Sequence, residues 1–543
     1  MATSVTSRAA AASSAPAGTA PAKRSFLRGS SPTLTFLGRR LLSSLVVLIG
    51  ATFIVYMLLA YSLDPLEDLR TSTAPNKEAM IEARIRALDL NTPPVIRWLM
   101  WLRGVGGCVV GQCDLGASWV SGQTVPSLLS SAIPSTVQLV GASTFIAIGL
   151  GVLVGIVSAL RQYTRFDYGV TFISFVLYSL PSFWVAVLLK QWGAIGFNDF
   201  LADPHVPPAV IVVVALIGGG LWSAVVGGDR SRRWTTFGVA ALATAAALVF
   251  ISSTDWLLNP GLGPVVIALL GVGVAFATTA LTAGLRDRRA LYSSLTVVVI
   301  GVVLYNPLQY AFVSASWGLV LLLAVSAVVV AVIVGYLFGG HDRQVSIRAA
   351  AITALAVGAF TFVDRVMGVW QVYSNTSRIN GRPIATIGSQ TPGLSGDFWV
   401  GTLDKFTHLL LPTLALILIS FAAYTRYSRS SLLEVMNQDY IRTARAKGLS
   451  ERVVTMRHAF RNALIPLATL VPLDIAALFG GAIITERIFA WSGMGALFIK
   501  SLATKDADPI MGYFLVTGTL LVLANIVVDF VYAALDPRIR VNA

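Results

Sequence analysis

Long apolar stretches recur along this chain and alternate with polar connections. Twelve of them are about 20 residues long, which is the length that an α-helix needs to cross the hydrocarbon core of a bilayer. The pattern therefore predicts an all-α integral membrane protein with about twelve transmembrane helices. Their approximate ranges are 41–61, 136–159, 168–189, 208–226, 235–252, 264–284, 291–312, 317–338, 346–363, 409–426, 464–485 and 511–533.

The basic residues alternate between connections, which predicts how the spans are oriented. Cytoplasmic connections of membrane proteins carry more Lys and Arg than external ones. With the N-terminus inside, every even-numbered connection is basic, and we expect both termini to be cytoplasmic. The residues concerned are Lys23, Arg24, Arg28, Arg39, Arg40, Arg161, Arg165, Arg230, Arg232, Arg233, Arg286, Arg288, Arg289, Arg343, Arg348, Arg538 and Arg540, together with those of 439–466.

Composition narrows the function classes. Of 543 residues, 55% are hydrophobic and only 12% are charged, whereas a soluble domain carries about twice that charged fraction. The net charge of +14 therefore indicates cytoplasmic loops and not nucleic-acid binding. Two cysteines and four scattered histidines predict no metal cluster, and no cofactor is expected. Residues 1–33, rich in Ala, Ser, Thr and Pro, are expected to form a disordered cytoplasmic tail.

The long external loop 62–135 contains two ordered features. Residues 78–102 have apolar positions at helical spacing and two tryptophans, which predicts one or two amphipathic helices lying on the outer face. Cys108 and Cys113 follow in a glycine-rich segment. Outside the cytosol these two thiols are expected to form a small disulfide, and the alternative is a pair of free thiols.

No catalytic constellation is recognisable, so the chain is not expected to be an enzyme. The segment GMGALFIKS, residues 493–501, has Ile499 where a phosphate-binding loop requires glycine, and it lies in an external loop. Inside the spans, Asp474 is the clearest ionisable residue, and Asn525 and Asp529 lie toward the inner end of the last span. These three are either polar elements of a pathway or subunit interface, or side chains satisfied by neighbouring helices.

Residues 439–466 interrupt the apolar pattern with six basic and two acidic residues. Tyr440, Ile441 and Ala444 share one face of a first short helix, and Gly448 supplies a turn with positive φ. Ser450 is expected to cap a second helix with Glu451 in its first turn. The buried stripe predicted for that helix consists of Val453, Met456, Phe460 and Leu464, with Arg457 and Arg461 projecting together. Two simpler interpretations are a loop that only fixes topology and a helix pair bound to anionic lipid headgroups.

The stretch DYIRTARAKGLSERVVTMRHAFRNALIP closely resembles the cytoplasmic coupling loop of bacterial ABC-importer permeases that take up dipeptides, oligopeptides and, in some members, nickel. Arg442-Thr443-Ala444 and Gly448 stand where the general loop has Glu-Ala-Ala and Gly, although Phe460-Arg461 replaces a Leu-Pro of other branches. The resemblance extends over roughly 34–190 and 405–540. It assigns ATPase coupling to Asp439, Tyr440, Arg442, Ala444, Arg445, Lys447, Gly448, Leu449 and Arg457.

The family fold implied by this resemblance has six spans, with the coupling loop between the fourth and fifth. This chain departs from it by an insert, residues 191–407, that holds six additional spans. The core is then divided into 34–190 and 408–543, with the coupling loop at 427–463. The insert is interpreted as a lipid-facing accessory bundle, or alternatively as a region that binds a partner or stabilises the assembly.

The resemblance implies a permease subunit for peptide uptake in the bacterial cytoplasmic membrane. Its expected partners are a second homologous permease, two ABC ATPase subunits on the cytoplasmic face, an extracytoplasmic substrate-binding protein and the peptide itself. A self-sufficient secondary carrier is the main alternative, but it predicts internal repeats and more intramembrane ionisable residues than are evident here. Import of nickel or another non-peptide solute is a further alternative, whereas a non-transporting scaffold would leave the coupling loop unexplained.

Overall fold

The chain is built from α-helices throughout the part that the structure describes. The computed structural model covers residues 32–284, 287–340 and 343–535, where the extended pairing consists of one antiparallel bridge between Ala117 and Thr124. Residues 1–31 of the predicted tail lie outside these ranges, as do the predicted cytoplasmic arginines Arg286, Arg538 and Arg540. The predicted all-α class is confirmed for the described residues.

The helices follow one another closely along the chain. In order they are α1 (Pro32–Ser62), α2 (Glu67–Arg70), α3 (Lys77–Ala87), α4 (Pro94–Val109), α5 (Val125–Leu160), α6 (Arg165–Ser179), α7 (Ser182–Leu188), α8 (Phe197–Phe200), α9 (Pro208–Val226), α10 (Arg230–Ser253), α11 (Gly263–Thr282), α12 (Arg288–Val303), α13 (Tyr305–Ala311), α14 (Trp317–Phe338), α15 (Arg343–Met367), α16 (Trp370–Ser374), α17 (Phe398–Met436), α18 (Asp439–Ala446), α19 (Glu451–Val453), α20 (Phe460–Gly481), α21 (Ile483–Ile488), α22 (Met494–Ala503) and α23 (Ala507–Leu535). Two π-helical segments, Leu189–Gly196 and Val454–Ala459, and one 3-10 turn, Phe312–Ser314, complete the set.

Ten of the described helices are long and apolar enough to cross a membrane, or up to twelve if each of two bent pairs is one span. The ten are α1, α5, α9, α10, α11, α14, α15, α17, α20 and α23. The pair α6–α7 is bent by 102° and the pair α12–α13 by 53°. The sharper bend has a clear cause: Leu180 is extended (ψ 131°) because it precedes Pro181, and a residue before proline disfavours the helical conformation.

The two helices that pack most extensively are α5 and α17. Small residues bring their backbones together: a Cβ added at Gly155 would lie 2.0 Å from the Ser428 hydroxyl oxygen and 2.5 Å from the Thr425 carbonyl oxygen. Gly151 precedes Gly155 by one turn and also faces α17, so the pair forms the small-residue spacing that lets membrane helices approach closely. We call this contact the α5–α17 seam.

The remaining helices form two further groups around the seam. α20 and α23 pack together, and α23 also contacts α1, whose Phe53 meets Trp98 of α4 edge-on at 5.0 Å. In the region predicted as an insert, α9 and α10 form a hairpin, while α11, α12, α14 and α15 pack mainly with one another. α15 then joins this second bundle to α17.

Candidate functional site

The predicted coupling loop begins within α17 and continues after it as two short helices. α17 continues to Met436, so the first ten residues of the predicted loop 427–463 are a helical extension of the span. α18 then begins at Asp439, a turn follows at Gly448, and α19 with the π-helical segment leads into α20. We call residues 439–463 the basic helix pair.

The inner face of the basic helix pair packs against the end of the α5–α17 seam. Ile441 is fully buried and Ala444 is buried, and both belong to one apolar cluster with Ala159 of α5 and Leu432 of α17. Ala159 and Leu432 each lie four residues beyond the seam residues Gly155 and Ser428, so a continuous apolar line joins the seam to α18.

Tyr440 is not buried with Ile441 and Ala444, although the sequence predicted that the three share one face. Its side chain is exposed, although its hydroxyl oxygen accepts a hydrogen bond from Asn462 Nδ2 at 3.0 Å. The tyrosine therefore connects α18 to the start of α20 across the outside of the pair, while Ile441 and Ala444 alone form the buried contact of that face.

Gly448 makes the turn between the two halves of the pair. Its φ is +76°, as the sequence predicted. The Gly448 amide donates to the Arg445 carbonyl at 2.9 Å and the Leu449 amide to the Ala444 carbonyl at 3.4 Å, which is the paired arrangement that ends many helices. A Cβ added at Gly448 would meet no atom within 4 Å, so only backbone strain opposes a larger residue here.

The first half of the buried stripe predicted for the second helix is wrong. Val453 and Met456 are exposed, and the residues that face inward there are Val454, Thr455 and Ala459. The reason is the π-helical segment Val454–Ala459, whose wider turn rotates the following residues relative to the 3.6-residue period used for the prediction. Phe460 and Leu464, the other two predicted residues, are half-buried. Ser450 occupies the N-cap position but its side chain makes no capping hydrogen bond.

The outer face of the pair is a cluster of cations. Arg445 pairs with Glu451 across the turn, with Nε and Oε1 2.9 Å apart, and Arg442 lies 3.5 Å from Asp439. Lys447, Arg457 and Arg461 are exposed and make no ion pair with any residue that the structure describes. This face can therefore accept the carboxylates of an acidic partner surface.

An ion pair next to the basic helix pair, in which the carboxylate is buried, was not predicted from the sequence. Asp167 at the start of α6 accepts two hydrogen bonds from Arg429 of α17, at 2.8 and 2.9 Å. The Ser158 hydroxyl at the end of α5 donates to the same carboxylate at 2.5 Å, and the Tyr163 amide donates at 3.1 Å. Asp167 thus ties α5, α6 and α17 together next to the apolar cluster that seats α18. Its only sequence signal was an acid within a basic connection.

The three polar residues predicted inside the spans do not come together. Asp474 is half-buried on α20 and its carboxylate lies close enough to act electrostatically on Tyr424 of α17. Asp529 forms an ion pair with Arg40 of α1, which accounts for it as a structural contact within the chain. Asn525 is exposed and donates to the Leu521 carbonyl. A pathway or interface role for these residues stays a prediction.

The segment GMGALFIKS packs around the side-chain carboxylate of Glu486. Glu486 is fully buried, and its Oε2 accepts the Ala496 amide at 2.9 Å in the first turn of α22. The Thr136 hydroxyl donates to its Oε1 at 2.8 Å, and Gly493 leaves the room that this carboxylate needs. Burial raises the pKa of Glu486. The glycines that suggested a phosphate loop therefore serve the packing of α22.

The two cysteines lie at the end of α4. The structure joins Cys108 and Cys113 by a disulfide, which closes the glycine-rich turn after that helix. Cys108 packs at the edge of an apolar cluster with Leu115, Val125 and Met494, so the bridge braces the loop against α5 and α22.

Comparison with known proteins places this architecture in a transport family. A profile of the family described as binding-protein-dependent transport system inner membrane component matches residues 317–541. A putative peptide permease protein of Brucella suis is 35% identical over 243 residues, which cover 44% of this chain and 73% of that protein. The chain therefore belongs to the family of inner membrane components of binding-protein-dependent transport systems.

Two further relatives match over shorter regions. The oligopeptide transport system permease protein OppB of Mycobacterium tuberculosis is 43% identical over 155 residues, covering 28% of this chain and 48% of that protein. The dipeptide transport system permease protein DppB of Escherichia coli is 43% identical over 148 residues, covering 27% and 42%. The chain thus spans about half the length of these relatives. The family match itself begins at 317, inside the predicted insert.

Proposed function

We propose that this chain is a transmembrane permease subunit of an ATP-driven importer that takes up di- or oligopeptides delivered by a substrate-binding protein. The observation that carries the proposal is the basic helix pair, whose apolar face is seated on α5 and α17 and whose cationic face is exposed. The names of the relatives, which are oligopeptide and dipeptide permeases, support peptides as the transported class.

In this proposal, two ATPase subunits bind the basic helix pair of this chain and of a second, homologous permease. Movement of the ATPases shifts α18, and the buried contact of Ile441 with Leu432 passes that shift to α17. The Asp167–Arg429 ion pair makes α6 move with α17 and α5. A displacement of this helix group relative to the second permease then opens the path to one side of the membrane or the other.

We also propose twelve spans with both termini in the cytoplasm, each bent pair counting as one span. The alternation of basic connections supports this topology. The six helices or bent pairs between 208 and 367 are proposed to be an addition to a six-span core. α9 and α10 pack mainly with each other, and α11, α12, α14 and α15 pack mainly with one another, which supports that division. Because six is an even number, such an addition leaves the basic helix pair on the cytoplasmic side.

Charge reversal on the basic helix pair tests the proposed ATPase contact. Arg457→Glu is expected to reduce the amount of ATPase that co-purifies with the full-length chain, and to do so more strongly at low than at high salt, because exposed ion pairs are screened. Arg86→Glu on α3, where the side chain is 77% exposed, makes the same charge change away from the pair and is the matched control.

Two outcomes would contradict the proposed contact. Equal co-purification in the two variants would remove the basic helix pair as the docking site. A loss that follows the anionic lipid content of vesicles, and that occurs without any ATPase, would instead support the lipid-headgroup interpretation of these cations.

A further inference from the structure

A large apolar cavity lies in the bundle formed by α12, α14 and α15. Its volume is about 430 Å³, within the roughly 300–1,000 Å³ typical of small-molecule sites. The wall is made almost entirely of aliphatic and aromatic side chains, among them Leu304, Phe312, Trp317 and Phe362. The hydroxyls of Ser326 and Thr361 donate to carbonyl groups of their own helices at 2.8 and 3.0 Å. The wall therefore offers a water molecule few partners and suits an apolar ligand.

The cavity communicates with the outer surface of the bundle. Leu304, Trp317 and Leu355 belong to its wall and are 43%, 52% and 49% exposed. In a helix that crosses a membrane, the medium at such a surface is the acyl chains of lipids. A chain that enters the cavity from the bilayer consequently stays in apolar surroundings along its whole length.

A cation that makes no ion pair with any described residue lies just beyond one end of the cavity wall. Arg365 follows the wall residues Thr361 and Phe362 by one turn of α15 and is two residues from the end of that helix. Its guanidinium carbon lies 5.8 Å from the ring centre of Trp399, which in turn packs against Phe312 and Phe362 of the wall at 5.1 and 5.4 Å. Arginine near the end of a membrane helix normally finds an anion, water or a lipid phosphate.

The adjacent acid on α15, Asp364, makes its hydrogen bonds to groups other than Arg365. Asp364 accepts hydrogen bonds from the amides of Leu262 and Gly263 and from the Tyr305 hydroxyl. Arg365 Nε is buried and has no acceptor among the described residues, and the same holds for the Nε2 group of Gln309, which neighbours Leu308 of the wall. Each of these two donors belongs to a helix that contributes residues to the wall, α15 for Arg365 and α13 for Gln309.

We propose that this cavity binds an anionic phospholipid, with one acyl chain inserted between α12, α14 and α15 and the phosphate held by Arg365. The apolar wall suits the acyl chain, and the Arg365 guanidinium, which makes no ion pair with a described residue, favours a headgroup with net negative charge. Gln309 supplies a second donor to the headgroup oxygens. The site lies in the second bundle, apart from the basic helix pair, and does not depend on the transport function proposed above.

Native mass spectrometry of the full-length chain tests the site. The protein is equilibrated with phosphatidylglycerol or with phosphatidylcholine of the same acyl chains, and the lipid that remains bound after release from detergent is counted. Gly358→Phe fills the cavity, because Gly358 lines it and an added Cβ meets no atom within 4 Å. Gly273→Phe on α11 also has open space around the Cβ and lies outside the wall, so it is the matched control.

We expect the wild type and Gly273→Phe to retain one phosphatidylglycerol in preference to phosphatidylcholine, and Gly358→Phe to lose it. Arg365→Gln should weaken retention about fivefold, the equivalent of one interfacial charge contact, whereas Arg365→Lys should retain most of it. Thermal unfolding confirms that each variant is folded, and Gly358→Leu replaces the phenylalanine variant if that one is not. Equal retention in Gly358→Phe and Gly273→Phe, or an undiminished preference for phosphatidylglycerol in Arg365→Gln, would overturn the proposal.

Discussion

Asp167 shows how one side chain can fix the arrangement of three helices. Its side chain is 3% exposed and receives hydrogen bonds from Arg429, Ser158 and the Tyr163 amide. Removing one partner of a buried ion pair leaves the other charge without compensation, which costs more than the pair contributes while it is intact. At this residue the sequence predicts little, because an acid within a basic connection does not reveal that it is buried.

Asp167→Asn is expected to lower the free energy of unfolding by about 2–4 kcal/mol, because it leaves the Arg429 charge without its partner. The loss is limited because Arg429 stays partly exposed to water. Thermal unfolding in one detergent would measure the change. Glu82→Gln provides the control, because it breaks the Arg86–Glu82 pair, in which both side chains are largely exposed, and little change is expected. If the two substitutions have equal effects, the Asp167 contact does not hold these helices together.

For single elements, the sequence predicts where helices form better than it predicts which of their faces are buried. The apolar stretches predicted long helices, and ten helices of sufficient length and apolarity, or up to twelve if each bent pair is one span, occur in the described residues. Gly448 was correctly assigned a positive φ. The stripe at Val453 and Met456 failed because a π-helical turn changed the period locally. The bend at Pro181 divided a stretch that its composition alone presents as one continuous span.

The α5–α17 seam depends on close backbone approach, which substitutions can test. Gly155→Leu would place side-chain atoms where Ser428 and the Thr425 carbonyl lie, and overpacking of this kind costs typically about 1–3 kcal/mol. We therefore expect a lower thermal midpoint and a loss of uptake. Gly149→Leu on the same helix meets open space and should behave like the wild type. A wild-type midpoint for Gly155→Leu would show that the seam is not tightly packed.

At the scale of the whole molecule, the fold consists of a core around the seam and a second group of helices between 208 and 367. Among the described residues, α5, α17 and α20 contribute to the apolar cluster that the basic helix pair packs against. The cavity beside Arg365 was not predictable, because its wall comes from helices that are uniformly apolar in sequence.

Accessibility labelling tests the proposed topology. Single cysteines introduced at 228–233, 286–289 and 341–348, with Cys108 and Cys113 replaced, should react only with reagents that enter the cytoplasm. The physical reason is that basic connections are retained on that side during insertion. A site at 259, which is exposed in the connection between α10 and α11, is the external control. Reaction of any of the three basic connections from outside would exclude the twelve-span arrangement.

If the basic helix pair transmits the action of ATPase subunits to the α5–α17 seam, substitution of Gly448 at its turn should interrupt that transmission. In Gly448→Val the positive φ costs at least about 1–2 kcal/mol, whereas Gly448→Asn tolerates that conformation. Both variants should insert and assemble normally, because open space surrounds the position. The decisive measurement is peptide uptake together with ATP hydrolysis in vesicles that contain the complete transporter. We expect Gly448→Val to lose uptake and the stimulation of hydrolysis by binding protein and peptide, while Gly448→Asn keeps both. Unchanged uptake and stimulation in Gly448→Val would show that the basic helix pair does not transmit the action of the ATPases.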